Sequence, residues 1–119
     1  MSKKIVITGG IGYIGTELCK IYSGISWNNE VLVIDNRFIS ERVNQLRNWG
    51  IEYIHGDILD KDLVYKYCKD ADVVHHLAGI TDVPRVKNES NVEKDSQIKL
   101  VGEEGTQNIL NAITDKCKI

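Results

Sequence analysis

Proline is almost missing from this sequence: Pro84 is the only one in 119 residues. There is no internal repeat, no low-complexity stretch and no Pro- or Ser-rich linker, so one domain covering residues 1–119 is expected. That length leaves room for a single core and none for a second lobe. Charge of either sign is also not in excess. With 15 Lys and Arg against 17 Asp and Glu, the net charge is −2. This excludes a basic nucleic-acid face and an acidic tail. No apolar run reaches the length of a membrane span. Met-Ser-Lys-Lys leads straight into a strand-like run without a cleavage site, which predicts no signal peptide. Cys19, Cys68 and Cys117 form no Cys-x-x-Cys pair and no Cys/His cluster, so neither a metal site nor a disulfide framework is expected. They read as small half-buried hydrophobes in a reducing cytoplasm. A Gly-x-x-x-x-Gly-Lys-Ser/Thr loop is absent, which excludes a P-loop for ATP.

Four β-rich runs are present: Lys4–Thr8, Glu30–Asp35, Ile51–His55 and Asp72–Leu77. The first, second and fourth are nearly continuously apolar, as in a parallel sheet covered on both faces. Helical patterns separate them. Ile14, Leu18, Ile21 and Ile25, recurring at three to four residues, mark the first. Val43, Leu46 and Trp49 mark the second, closed by Gly50. Leu63, Val64 and Tyr67 mark the third, opened by Asp60 as N-cap. A last helix is expected over Ser90–Thr114, with Ile98, Val101, Ile109, Leu110 and Ile113 inward. Alternating strands and helices imply right-handed crossovers and the sheet order 3-2-1-4. The chain then reverses direction between strands 1 and 4, where open α/β sheets bind ligands.

Gly9, Gly12 and Gly15 lie between the first strand and the first helix. The spacing alone is weak, but strand, glycines and helix in this order form a dinucleotide fingerprint. Gly9 serves the sharp turn, Gly12 lets a pyrophosphate approach the backbone, and Gly15 lets helix and strand pack closely. Phosphates would sit on free N–H groups at the helix start. Asp35 ends the second strand about 20 residues further on, where a carboxylate accepts from an adenine ribose and repels a 2′-phosphate. This favours NAD over NADP, although Arg37 in the same loop could face a phosphate.

"TGGIGYIG" (8–15), "VIDN" (33–36), "GDILD" (56–60), "DVVHHLAG" (72–79) and "EEGTQNILNA" (103–112) occur in this order. Together they resemble the extended short-chain dehydrogenase/reductases, and among these the NAD-dependent nucleotide-sugar epimerases and dehydratases. The resemblance implies a three-layer α/β Rossmann fold without the later strands and the sugar-binding lobe. It implies that the backbone at Tyr13 and Ile14 touches the pyrophosphate. Asp35 and Asn36 would hold the adenosine ribose, with Arg37 to Ser40 along that edge. Asp57 and Ile58 would flank adenine. Leu77, Ala78 and Gly79 would pass under the nicotinamide side, continued by Ile80 and Thr81.

The family's chemistry, hydride transfer through a transient 4-keto sugar, uses a Tyr-x-x-x-Lys pair beyond the fifth strand. Here the one formal match, Tyr65 and Lys69, falls between strands 3 and 4 and reads as ordinary helix surface. Gly102 stands where the family usually has Asn near the nicotinamide side. His55, His75 and His76 read as packing residues within the sheet. The resemblance therefore implies the NAD-binding part of a larger enzyme acting on a nucleotide sugar, with no catalytic residue in this stretch. A bare fourth strand would favour a homo-oligomer or partner chain. A stand-alone NAD-binding sensor or scaffold, and a half-enzyme completed by a second chain, are the alternatives.

Overall fold

A computed structural model describes residues 3–24, 29–79, 96 and 98–119. Strands β1 (Lys4–Thr8), β2 (Glu30–Asp35), β3 (Glu52–His55) and β4 (Val73–His76) form one parallel sheet in the order β3-β2-β1-β4. β1 and β2 pair from Lys4↔Glu30 to Thr8↔Ile34. β1 and β4 pair from Ile5↔Val73 to Thr8↔His76. Helices α1 (Tyr13–Ser23), α2 (Ser40–Asn48) and α3 (Lys61–Cys68) are the crossovers. A π-helical turn, Val101–Gly105, leads into α4 (Thr106–Ala112).

Alternation along the strands feeds two cores. Ile5, Ile7 and Val33 join Ile11, Cys19, Leu46 and Ile51 on the α1 and α2 face. Val6, Leu32, Ile34 and Val74 join Ile58, Val64, Cys68 and Ile109 on the α3 and α4 face. Each such aliphatic side chain contributes about 1.5–3 kcal/mol through burial. The cysteines are free, and burial pushes the Cys19 thiol up to about 12 and the Cys68 thiol up to about 11.

Two helix ends follow the sequence signals. Asp60 accepts from the Leu63 N–H at 3.2 Å. Gly50, with φ +72°, closes α2 by donating to Arg47 O at 3.0 Å.

Two helices pack differently from what their apolar spacing suggests. On α1, Ile14 and Ile21 are 72% and 60% exposed, while Gly15 and Cys19 are buried. A Cβ on Gly15 would collide with Gly9 O, so the helix rests on the turn through its glycine. That contact sets its rotation, and Ile25 lies outside the described residues. The last helix is not one uniform element. The π turn adds a residue per turn and shifts the phase, so Leu110 is exposed and Asn108 is buried. Ile113 falls just beyond the end of α4 but packs against the core, as expected. Positions 90–95 and 97 lie outside the described residues.

Asn108 takes up a buried role. Its Nδ2 donates to Ile58 O at 2.9 Å, tying α4 to the loop after β3. Asn108→Leu leaves that carbonyl unpaired, and the expected cost is about 1–3 kcal/mol. A lower urea midpoint checks it; an unchanged midpoint would remove Asn108 from this role.

The outer edge of β4 is not bare. Lys118 N–H donates to Asp72 O at 3.0 Å, and Val74 N–H donates to Lys118 O at 2.8 Å. Val73 and Lys118 thereby form a parallel bridge. The apolar edge expected from the sequence is partly covered by the chain itself.

Candidate functional site

The turn after β1 is built by backbone constraints. Gly9 has φ +72°, and a Cβ there would meet Ala78 N at 2.8 Å. Its N–H donates to Ile34 O at 2.9 Å, and its carbonyl accepts from Gly12 N–H at 3.1 Å. Gly12 then caps α1 with an extended backbone and no side-chain hydrogen bond. Its own position is open: a Cβ would have nothing nearer than Arg37 Nη2 and Gly9 O, both at 3.4 Å. The fold therefore requires glycine at 9 and 15 but tolerates a side chain at 12. What Gly12 leaves is a cradle before the first N–H groups of α1, those of Tyr13, Ile14 and Gly15. These donors have no acceptor within the helix and carry its positive end.

Asp35 lies beside this cradle at the C-terminal end of β2, only 4% exposed. Its Oδ1 accepts from Arg37 N–H at 2.9 Å and from Arg37 Nε at 3.3 Å. Its Oδ2 accepts from Arg37 Nη2 at 3.3 Å and from Ile11 N–H at 3.4 Å. Arg42, from the first turn of α2, donates to Ile11 O, and its Cζ lies 5.5 Å from the centre of the Tyr13 ring.

Opposite, Asp57 Oδ1 accepts from Leu59 N–H at 2.9 Å and shapes the loop after β3. Ile58 is buried, and a Cβ on Gly105 would collide with its Cδ1. Only the cleft-facing edge of Ile58 is thus available to a ligand.

The third wall is the segment after β4. Thr8 Oγ1 accepts from Leu77 N–H and Ala78 N–H, each at 3.1 Å. With both lone pairs engaged, its proton points to His76 Nδ1 at 2.8 Å. His76 is then protonated on Nε2 and donates to Thr106 Oγ1 at 3.1 Å. His76 thus joins β1, the wall and α4. His75 instead meets Tyr22 of α1, with Nε2 2.6 Å from the hydroxyl. His55 Nε2 lies 3.1 Å from Asn36 O.

Burial lowers the pKa of both His75 and His76 below the ordinary 6.5. A depressed histidine pKa means that the unfolded chain binds protons more readily than the native one. Their contribution is complete above about pH 6.5 and is lost as pH falls through that value toward the native pKa values. Urea midpoints are expected to be flat above about pH 7 and to drop as pH falls below about 6.5. His76→Gln should reduce the slope; an unchanged slope would contradict the relay.

These walls enclose a cleft of about 810 Å³. Of the residues singled out in the sequence, Gly9, Gly12, Tyr13, Ile14, Gly15, Asp35, Asn36, Arg37, Asp57, Ile58, Leu77, Ala78 and Gly79 line it. Ser40 does not. It opens α2 at the surface, and Arg42, two residues on, supplies that wall because its longer side chain reaches the glycine turn. Thr81 lies outside the described residues. Ile34 and Gly56, inside the "VIDN" and "GDILD" motifs but not singled out there, also line the cleft, as do Arg42 and Val101, which no motif marks. Tyr65 is exposed on α3, with Lys69 Nζ 5.7 Å from its ring centre, and neither lines the cleft. Gly102 is exposed, with open space where a Cβ would be. Among the described residues no three His, Cys, Asp or Glu could hold a metal ion, and no helix is long and apolar enough to cross a membrane.

A parallel sheet of order β3-β2-β1-β4, a glycine turn at its switch point and a cleft between the two diverging crossovers define a Rossmann unit. The chain belongs to the 3-beta hydroxysteroid dehydrogenase/isomerase family, whose model matches residues 6–118. It is 31% identical over 113 residues to a UDP-N-acetyl-alpha-D-glucosaminuronate decarboxylase of Bacillus cytotoxicus, covering 94% of this chain and 33% of the relative. Among solved structures, a UDP-N-acetylglucosamine 4-epimerase of Methanobrevibacter ruminantium in complex with UDP-N-acetylmuramic acid superposes with TM-score 0.73 at 27% identity. That match covers 93% of this chain and 34% of the other. The dTDP-glucose 4,6-dehydratase DesIV of Streptomyces venezuelae, solved with NAD and TYD bound, shares the fold. Its TM-score is 0.74 at 22% identity, over 92% of this chain and 35% of that one. The chain thus spans about a third of the length of these epimerase, dehydratase and decarboxylase relatives.

Proposed function

We propose that the cleft binds NAD and that this chain is the NAD-binding unit of a nucleotide-sugar epimerase or dehydratase. The observation that carries the reading is Gly12. Its missing Cβ serves no packing need, yet it clears the space before three uncapped N–H groups. A pyrophosphate is the chemistry that uses such a space. The N–H groups of Tyr13, Ile14 and Gly15 would hold the two phosphates. Asp35 would accept from the adenosine ribose once Arg37 turns aside, with Asn36 beside it. Asp57 would accept from the adenine amino group. Leu77, Ala78 and Gly79 would support the nicotinamide half, their backbone held by Thr8.

NAD bound there would take a hydride from a sugar carbon. The NAD bound to DesIV and the UDP-N-acetylmuramic acid bound to the Methanobrevibacter epimerase support this assignment by likeness. Within these 119 residues the one Tyr-x-x-x-Lys sits on the exposed face of α3 away from the cleft, so they would hold the cofactor without turning over a sugar. Calorimetric titration with NAD should give saturable one-to-one binding at submillimolar Kd. No saturable heat up to several millimolar would overturn the proposal.

A further inference from the structure

A buried carboxylate at the end of β2 excludes a 2′-phosphate only if its charge faces the ligand uncompensated. That is not the state of Asp35. Its two oxygens receive four contacts, two of them from the Arg37 guanidinium and two from backbone N–H groups. The Arg37 side chain itself is about half exposed, so it is held by Asp35 but not enclosed. Its Nη2 lies 3.4 Å from the empty Cβ position of Gly12, at the border between ribose edge and phosphate cradle. Arg42 reaches the same border from α2, fixed by Ile11 O and by the face of Tyr13. Both arginines line the cleft. Asp35, Arg37 and Arg42 together leave one net positive charge there, and the forked donors of a guanidinium match the oxygens of a phosphate.

We propose that Arg37 and Arg42 form an anion clamp that admits a 2′-phosphate, so that the cleft takes the 2′-phosphorylated dinucleotide as well as the unphosphorylated one. The inference rests on the NAD reading of the cleft and extends it. With NAD, the ribose diol displaces Arg37 from Asp35. With NADP, the phosphate sits on the two guanidinium groups while Arg37 keeps its bond to Asp35.

The test is a calorimetric titration of the whole chain with NAD and NADP at low ionic strength, repeated on Arg37→Ala and Arg42→Ala. The expected result is an NADP Kd within tenfold of the NAD Kd. In each variant the ratio of NADP Kd to NAD Kd should rise at least fivefold. That ratio is insensitive to a general loss of folded protein, which weakens both ligands equally. A wild-type chain that prefers NAD by more than tenfold overturns the clamp while leaving the NAD reading intact. So does a ratio that stays put in both variants. If neither dinucleotide binds, the NAD reading itself fails and the clamp falls with it.

Discussion

Gly12→Val should leave the chain folded and remove its NAD binding. The position has φ −75° and ψ 179°, which any residue adopts, and the nearest atoms to a Cβ are at 3.4 Å. One of these is the end of the flexible Arg37 side chain. Stability should therefore fall by only about 1 kcal/mol by urea denaturation, the cost of an aliphatic residue at an N-cap. The new side chain would project into the space before the N–H groups of Tyr13 and Ile14. A phosphate held there by charge-assisted bonds of about 1.5–3 kcal/mol each would be excluded. At about 1.4 kcal/mol per tenfold, losing two such bonds weakens NAD by at least a hundredfold. Gly15→Ala provides the contrast. Its Cβ would press on Gly9 O and, at 2.6 Å, on Gly10 Cα, which are backbone atoms. That change should cost about 1–3 kcal/mol of stability as well as affinity. If Gly12→Val unfolded the chain, or bound NAD normally, the cradle would not be what Gly12 is for.

Asp35→Ala should weaken NAD by about ten- to a hundredfold, the loss expected for one to two hydrogen bonds to a charged acceptor. The same change removes contacts to Ile11 N–H and Arg37, so some loss of stability is expected too. The discriminating readout is selectivity. Without Asp35, Arg37 is free for a phosphate, and NADP should lose less than NAD or gain. Parallel weakening of both dinucleotides would reduce Asp35 to a purely structural residue. Unchanged NAD affinity would remove it from the site.

Where local chemistry decides, the sequence was readable. β1 and β2 run over the predicted residues because their apolar character is continuous and bounded by turn residues. Gly50 and Asp60 close and open their helices by bonds that need only neighbouring backbone. The strand order followed from alternating strands and helices, and it placed the glycine turn at the switch point.

Where packing against distant elements decides, the sequence was not enough. The heavy apolar side chains of Ile14 and Ile21 outweighed Gly15 and Cys19 in the periodicity, yet the small residues are the inward ones because the helix must touch the Gly9 backbone. The π turn before α4 has no signature in residue type, so Leu110, expected inward, is exposed while Asn108 is buried. Arg42 could not be assigned to the cleft from sequence. Its reach to Ile11 O depends on how the second crossover lays α2 beside the turn. The bridge at Lys118 likewise depends on the return of the chain from α4 to the outside of β4.

The most direct test of NAD binding in the cradle is an amide NMR titration of the isotopically labelled chain with NAD. Binding there predicts saturable shifts of the Tyr13, Ile14 and Gly15 amides, with smaller changes at Asp57 and Ala78 and none on the outer face of α3. Shifts confined to other surfaces, or no saturable shift at millimolar NAD, would contradict it.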